Sequence, residues 1–331
     1  MTHHATLTPH ATHATPAPSA AHPPAVQGGT WRMLLAMALS GTIGLLVVES
    51  GLPPLLVVFA RCVLGALGLG LWLAWRRQWV RPQGGQWLWL AGGGLALVLN
   101  WVALFSAYHH SSIAVATVVY HVQPFMLLAL SALQGEPIDR RRLPWLLLAL
   151  LGVALSSGLI GWEGMDATHA GTGAWMGVAL ALLAAALYAA ATVATRRLGQ
   201  LPSAQIAMLQ MLAGGLLLSL WALPMLQRIV AASPQLLSAR AASLALTLGL
   251  VHTAFMYTVM YAAFQRLPAQ AIAALSFVYP AMALLIDLAW FGAMPSMAQW
   301  AGMALILAAV LGHRLGIPWG RSARMKKSSP A

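Results

Sequence analysis

The sequence predicts an all-α integral membrane protein with ten transmembrane helices, arranged as two inverted five-helix repeats. Asp, Glu, Lys and Arg make up only 7% of the 331 residues, against about 25% in soluble domains. The mean hydropathy is +0.76, and from residue 31 onward long apolar runs alternate with short polar breaks. Stretches of the first half of the chain also recur in the second half. Because so few charges cannot cover a water-facing surface, lipid must be the main solvent of this chain.

Residues 1–29 are predicted to form a disordered cytoplasmic tail. They are rich in Ala, Thr and Pro and contain no apolar run, so they do not look like a signal peptide. Five histidines lie in this tail, but their spacing matches no defined metal site. The single cysteine, Cys62, lies inside an apolar run, which excludes a disulfide framework. The sequence therefore predicts no metal and no cofactor.

Ten apolar runs are long enough to cross a membrane, since a helix needs about 20 residues to span the hydrocarbon core. They lie at 31–49, 53–75, 85–107, 112–134, 144–162, 174–194, 206–224, 243–264, 269–292 and 297–315. The first five runs make up a predicted repeat at 30–165, and the last five make up a second repeat at 172–316. Residues 317–331 are predicted to be a basic cytoplasmic tail.

The basic residues predict how the spans are oriented. With the N-terminus inside, all 18 Lys and Arg residues except Arg61, Arg228 and Arg240 fall on the inner side. This bias follows the positive-inside rule and predicts a multi-pass protein of the inner (cytoplasmic) membrane with both termini cytoplasmic. Because the basic residues lie between apolar runs and not on one patch, the sequence does not predict a nucleic-acid partner.

Two pairs of segments indicate an internal repeat. At an offset of 149 residues the second run matches the seventh, and at an offset of 156 the fourth matches the ninth. The least common matches are Pro53 with Pro202, Gly65 with Gly214, Trp72 with Trp221 and Pro124 with Pro280. A repeat of five spans, an odd number, places the two halves in opposite orientations, as in many secondary transporters. The alternative is a chance likeness between leucine-rich helices.

Three stretches of the chain resemble the drug/metabolite transporter superfamily, EamA-type, which has ten helices in two EamA repeats. The stretches are Pro53 to Arg61 with the following Arg76 and Arg77, the run from Ala107 to Leu130, and Gly135–Glu136. The resemblance covers about residues 31–316 and implies secondary transport, with efflux of amino acids or related metabolites. The second half lacks the glutamate and has Ala293 near the matching place.

Three charged residues away from the inner span ends are candidates for a role in transport, because charge within a bilayer is costly. Glu49 closes the first run, Asp287 lies near the outer end of the ninth, and Arg61 lies eight residues into the second. Arg61 is thus about 12 Å from the outer surface, too deep to reach it easily. Either Arg61 binds a substrate carboxylate, or it forms a fixed pair with Asp287 or Glu49. Asp287 could also carry a coupling proton.

A set of polar and aromatic residues near mid-membrane completes the predicted transport site. The set consists of Asn100, Trp101, Tyr120, His121, Gln123, Tyr188, Gln210, His252, Tyr257 and Tyr279. Since unpaired polar groups are poorly tolerated against lipid, these side chains are expected to point inward. They either line a pocket for an amphipathic or aromatic solute or form hydrogen bonds between helices.

These patterns favour a secondary transporter that exports small metabolites by alternating access. Its partners would be a small-molecule substrate and the lipid bilayer, with proton coupling as an option and no oligomeric state specified. A membrane-embedded enzyme and a sensor or scaffold are the alternatives. The sequence contains no GxSxG nucleophile motif and no GxxxxGK[ST] phosphate loop, so it does not predict an enzyme.

Overall fold

The computed structural model of the chain describes residues 24–110, 113–156, 173–292 and 294–317. The α-helices of the first half are α1 (Pro24–Gly41), α2 (Ile43–Ser50), α3 (Pro54–Arg76), α4 (Gln86–His110), α5 (Ile113–Tyr120), α6 (Gln123–Leu133) and α7 (Leu143–Ser156). Those of the second half are α8 (Gly173–Arg197), α9 (Ser203–Ala232), α10 (Ala239–Gly249), α11 (Met256–Phe264), α12 (Ala269–Ser276), α13 (Val278–Phe291) and α14 (Met297–Arg314). The described residues contain no strand, so the all-α prediction is confirmed.

Eight helical segments among the described residues are long and apolar enough to cross a membrane. They match the predicted runs except the fifth and tenth, where α7 and α14 lie. The described part of α7 has only 14 residues. The membrane-spanning character of the fold is therefore confirmed, while the count of ten spans stays a prediction.

The first helix begins earlier than predicted. Residues 24–29 were expected to belong to the disordered tail, but α1 begins at Pro24. Proline is well suited to the first turn of a helix because its missing amide hydrogen has no partner there anyway. Gly29 also packs closely, since a Cβ on it would lie 3.0 Å from Leu267. The rest of the N-terminal tail and the tail after residue 317 lie outside the described residues.

Two spans are broken at equivalent places by the prolines that the repeat aligns. The fourth span divides between α5 and α6, and Pro124 stands in the first turn of α6. The ninth span divides between α12 and α13, and Pro280 stands in the first turn of α13. Proline cannot donate the backbone hydrogen bond that would continue a helix. A proline within an apolar run predicts such a break, and both halves contain one.

Helices that the repeat makes equivalent pack against each other in antiparallel fashion. Along α3 and α9, Gly215 lies against Cys62, while Met208 lies against Gly70. Along α7 and α14, a Cβ on Gly152 would lie 2.7 Å from the carbonyl oxygen of Gly302. Further along the same pair, Gly312 lies against the ring of Trp145. Opposed directions of equivalent helices are what an inverted repeat requires.

The aligned glycines Gly65 and Gly214 make the same kind of contact in the two halves. A Cβ on Gly65 would lie 2.7 Å from Cγ2 of Thr253, in the eighth span. A Cβ on Gly214 would clash with Cγ2 of Val98, in the third span. Gly65 therefore lets the second span approach the eighth, and Gly214 lets the seventh span approach the third. Because the third and eighth spans are equivalent in the repeat, Val98 and Thr253 are structural counterparts.

Candidate functional site

Arg61 lies at the centre of the candidate site, on α3, with only 1% of its surface exposed. Its Nε donates a hydrogen bond to Oγ1 of Thr253 at 3.1 Å. Its guanidinium carbon lies 4.4 Å from the ring centroid of Trp101, close enough for a cation–π interaction. Its Nη2 is buried and has no hydrogen-bond partner among the described residues. One edge of the guanidinium is therefore available to a ligand.

Glu49 is not the partner of Arg61, so that prediction is wrong. Glu49 forms an ion pair with Arg240, at the start of α10. Glu49 lies near the end of α2, where both groups of this pair retain access to solvent. An exposed pair avoids the desolvation cost that pairing with the buried Arg61 would bring. The side chain of Asp287 lies outside the described residues, so the pair of Arg61 with Asp287 stays a prediction.

A single turn of π-helix, Leu250–Phe255, links α10 to α11 beside Arg61. Within it, the hydroxyl of Thr253 donates to the carbonyl oxygen of Leu248 at 2.8 Å and accepts from Arg61. Turns of π-helix are rare and are often found at functional sites. Thr253 is not identifiable from the sequence, because a threonine within an apolar run gives no signal of its own.

His252, in the same π-turn, connects the second half to the first. Its Nε2 lies 2.7 Å from Oγ1 of Thr42. The Thr42 hydroxyl also donates to the carbonyl oxygen of Leu39 at 2.8 Å. His252 is thereby placed in a contact between helices, one of the two roles expected of this set.

Most of the predicted aromatic residues come together in two groups. Near Arg61, the ring of Tyr257 lies edge-on to Trp101, with centroids 5.7 Å apart. In the second group, Tyr120 lies 6.2 Å from Tyr188, and His121 stacks on Tyr279 at 5.8 Å. Two further aromatic residues, outside the predicted set, join these groups: Tyr261 contacts Tyr257, and Phe277 contacts His121.

Asn100 links the two aromatic groups. It directly precedes Trp101, and its Nδ2 donates to the carbonyl oxygen of Ala184 at 2.7 Å and to the Tyr120 hydroxyl at 3.4 Å. Its Oδ1 has no partner among the described residues, and neither has Oε1 of Gln123. Both side chains are buried, with 0% and 4% of their surface exposed. An unsatisfied buried acceptor costs about 1–3 kcal/mol, so these oxygens suit a ligand that donates hydrogen bonds.

Gln210 differs from these residues because both ends of its amide are occupied. Its Nε2 donates to Oγ1 of Thr195 at 3.3 Å, and its Oε1 accepts from the hydroxyl of Tyr261. It is fully buried. These contacts fit a hydrogen bond between helices, the alternative role that the sequence left open.

A carboxylate at the arginine-rich end of the molecule joins three spans. Oε2 of Glu136 accepts from Nη1 of Arg196 at 2.7 Å, at the end of α8. Its Oε1 accepts from the amide of Ala269 at 2.8 Å, at the start of α12. Desolvation acts to raise the pKa of Glu136, but the hydrogen bonds from Arg196 and Ala269 and the arginine charge outweigh it and lower the pKa. Glu136 is thus held in its charged form.

A cavity of about 600 Å³ opens beside this carboxylate. Its lining includes Glu136, Arg196, Arg197, Arg266 and Gln265. Among the described residues, no three His, Cys, Asp or Glu side chains lie together as a metal ion would require. The cavity is therefore a polar, basic vestibule at one end of the helix bundle.

The family described as "EamA-like transporter family" matches residues 28–158 and 175–314, one match for each repeat. The chain belongs to this family. The EamA-like chain is thus a multi-pass membrane transporter, which implies a small-molecule substrate and a lipid bilayer around it.

Two further comparisons support this placement. The chain is 28% identical over 283 residues to the "Uncharacterized transporter YxxF" of Bacillus subtilis (strain 168), across 84% of this chain and 86% of that protein. A solved crystal structure aligns with a TM-score of 0.72 at 21% identity, over 87% of this EamA-like chain and 98% of the other. At that identity the second comparison shows the fold alone.

Proposed function

We propose that this EamA-like transporter exports small carboxylate-bearing metabolites, such as amino acids and related amphipathic compounds, by alternating access. The observation that carries the proposal is the free Nη2 of Arg61, a buried cationic donor without a partner among the described residues. Leaving a buried charge unpaired is costly. A transporter can tolerate this cost because the substrate supplies the counter-charge when it binds.

The contacts of Arg61 restrict how a substrate approaches. Trp101 covers one face of the guanidinium, and Thr253 occupies Nε. The remaining edge, with Nη2, suits a planar carboxylate, since arginine binds such groups through paired or single charge-assisted hydrogen bonds. A neutral solute of the same shape would gain less from this edge.

The unsatisfied acceptors support a substrate that also donates hydrogen bonds. Oδ1 of Asn100 and Oε1 of Gln123 are both buried and unpaired among the described residues. An ammonium group would satisfy such oxygens, and aromatic rings attract cations as well. A zwitterion with an apolar side chain therefore fits this combination of one donor edge, two acceptors and surrounding rings.

The basic vestibule supports export from the cytoplasm. The arginine-rich loops that flank it are expected to face the cytoplasm by the positive-inside rule. Cytoplasmic anions would then meet Arg196, Arg197 and Arg266 at this end of the bundle. The bacterial relative supports an inner-membrane location. Asp287 is the candidate carrier of a coupling proton.

Transport by purified protein in proteoliposomes tests this proposal. The panel contains radiolabelled amino acids, polyamines, purines and cationic dyes. We expect counterflow of at least one amino acid or related carboxylate, and none of the polyamines or dyes. Transport of the cations alone, with the amino acids excluded, would overturn the carboxylate proposal while leaving the family assignment intact.

A further inference from the structure

Thr253 presents a hydroxyl to Arg61 from a turn that the sequence does not mark. We propose that Thr253 is a positioning residue, which fixes the edge of the Arg61 guanidinium that faces the substrate. The inference rests on the proposed function, because it assumes that Arg61 binds a carboxylate. It extends that function by assigning carboxylate selectivity to a residue that does not itself touch the substrate.

The hydrogen bonds of Thr253 determine its role. Its hydroxyl proton is committed to the carbonyl oxygen of Leu248 at 2.8 Å. The oxygen can therefore only accept a further bond, and Nε of Arg61 supplies it at 3.1 Å. A committed acceptor holds the guanidinium in one orientation, with Nη2 left free.

The π-turn determines the direction of the Thr253 hydroxyl. In the same span, Thr247 and Thr258 donate to carbonyl oxygens four residues earlier, the usual back-bond of a helical threonine. Thr253 instead donates to a carbonyl oxygen five residues earlier, as the wider π-turn permits. The extra width changes the direction of the hydroxyl relative to its helical neighbours.

The first repeat provides a comparison that separates packing from hydrogen bonding. Thr253 packs its methyl group on Gly65, and its counterpart Val98 packs a methyl group on Gly214. Valine therefore already fills this packing position in the other half of the molecule. The hydroxyl is not needed for the helices to fit, so its role lies in the bond to Arg61.

Loss of the hydroxyl should weaken carboxylate binding in particular. In Thr253→Val, Nε of Arg61 loses its acceptor, and the guanidinium is held less firmly in the orientation that faces the substrate. We expect about tenfold weaker binding of carboxylates, because hydrogen bonds to charged groups are among the stronger ones. Neutral compounds of the same shape should bind as they do to the wild type.

The test uses matched acids and amides as probes of the full-length protein in detergent. Benzoate is compared with benzamide, and phenylacetate with phenylacetamide, by the concentration that gives half of the maximal thermal shift. Thr253→Val should lose most of the preference for the acids, while Thr253→Ser, which keeps the hydroxyl, should retain it. Val98→Thr is the matched control, and it should leave the preference unchanged.

The possible outcomes separate the carboxylate-binding role of Arg61 from the positioning role of Thr253. If the wild type itself shows no preference for the acids, the carboxylate-binding role of Arg61 fails, and the inference about Thr253 fails with it. If the wild type prefers the acids and Thr253→Val does so equally, only the inference about Thr253 is wrong. Loss of the preference in Thr253→Ser would also contradict it. If Thr253 had only a structural role, Thr253→Val would change the half-maximal concentrations of acids and amides alike.

Discussion

Arg61 carries the only described guanidinium that is buried at mid-span with an unpartnered nitrogen. Its two occupied sides come from different halves of the chain, with Trp101 from the first and Thr253 from the second. A substrate bound at the remaining edge would therefore contact a group whose orientation depends on how the two halves sit together. A change in that packing would change the affinity for the substrate, as alternating access requires.

Arg61→Ala should abolish transport while the protein still inserts into the membrane. Arg61→Lys should lose most of the activity, because a compact ammonium cannot reproduce the planar fork that binds a carboxylate. The measurement is counterflow in proteoliposomes, normalised to the amount of protein in the membrane. Lysine that works as well as arginine would show that only the charge matters.

The double variant Arg61→Ala with Asp287→Ala separates substrate binding from a fixed ion pair. If Arg61 only neutralises Asp287, removal of both groups should restore transport. Persistent loss in the double variant, at normal membrane abundance, supports the role of Arg61 in substrate binding. Recovery would contradict it.

At the residue scale, the sequence could predict residues that are unusual within an apolar run. It could not predict their hydrogen-bond partners. Arg61 is identifiable because a charge within an apolar run is costly. Asn100 and Gln123 are identifiable for a similar reason, but only the structure reveals that their oxygens lack partners among the described residues. The role of Thr253 could not be predicted, because the neighbouring residues contain no pattern that indicates a π-turn.

At the scale of elements, Glu136 acts as a link between three helices. It lies in the connection after α6 and binds the last turn of α8 and the first amide of α12. A carboxylate at a helix N-terminus is favoured by the helix dipole. The link closes one side of the basic vestibule, and it would have to break if the ends of these helices move apart.

Glu136→Gln should destabilise the protein modestly at neutral pH and reduce its sensitivity to acid. Because the pKa of Glu136 is lowered in the folded state, its contribution is present above the ordinary pKa of a glutamate. That contribution is lost as the pH falls through the lowered value. Since the group is partly exposed, we expect a loss of less than about 1 kcal/mol. Thermal unfolding between pH 7 and pH 4 measures it.

Asp139→Asn provides the control for this prediction. Asp139 pairs with Arg142 three residues later, and both groups are exposed. Its replacement should lower the unfolding midpoint at neutral pH by less than Glu136→Gln does. An identical acid response in Glu136→Gln and the wild type would show that the link contributes nothing to stability.

The positions of the helix breaks could be predicted, but the partners of the connecting loops could not. Pro124 and Pro280 mark the breaks because proline lacks an amide hydrogen. The start of α1 at Pro24 was missed, since the next residues have no apolar periodicity. The sequence placed Glu136 by resemblance alone, and gave no indication that Arg196 and Ala269 would converge on it.

On the scale of the whole molecule, the two halves share their packing and differ in their chemistry. Gly65 and Gly214 make equivalent contacts, and α3 runs antiparallel to α9. The hydroxyl of Thr253, however, has only the methyl group of Val98 as its counterpart. The fold is therefore close to symmetric, while the candidate site is asymmetric.

Orientation is the main prediction at this scale. Reporter fusions at Ser233, just after α9, should give an outside signal, and fusions at Lys327 should give an inside signal. The reason is the concentration of arginine and lysine in the segments at the opposite end from Ser233. An inside signal at Ser233 would contradict the predicted topology and, with it, the assignment of the basic vestibule to the cytoplasm.

The overall architecture was the part most accessible from the sequence. Long apolar runs fix the helices, and the recurrence of Pro, Gly and Trp at constant offsets fixes the two repeats. The family matches to 28–158 and 175–314 confirm the two-repeat architecture. Whether the fifth and tenth spans cross the whole bilayer depends on α7 and α14. The apolar pattern does not predict that these two helices pack against each other.

The single cysteine gives this transporter a native site for attaching a fluorescent or mass label. Cys62 follows Arg61 directly, is 0% exposed, and faces Gly215 on α9. A buried thiol reacts slowly with maleimides, so the resting protein should resist labelling. A transport step that separates α3 from α9 should raise the labelling rate, and the fraction of chains with one added mass, followed over time, would measure how often the thiol becomes accessible. No cysteine-free background has to be constructed, because the 331 residues contain no other thiol.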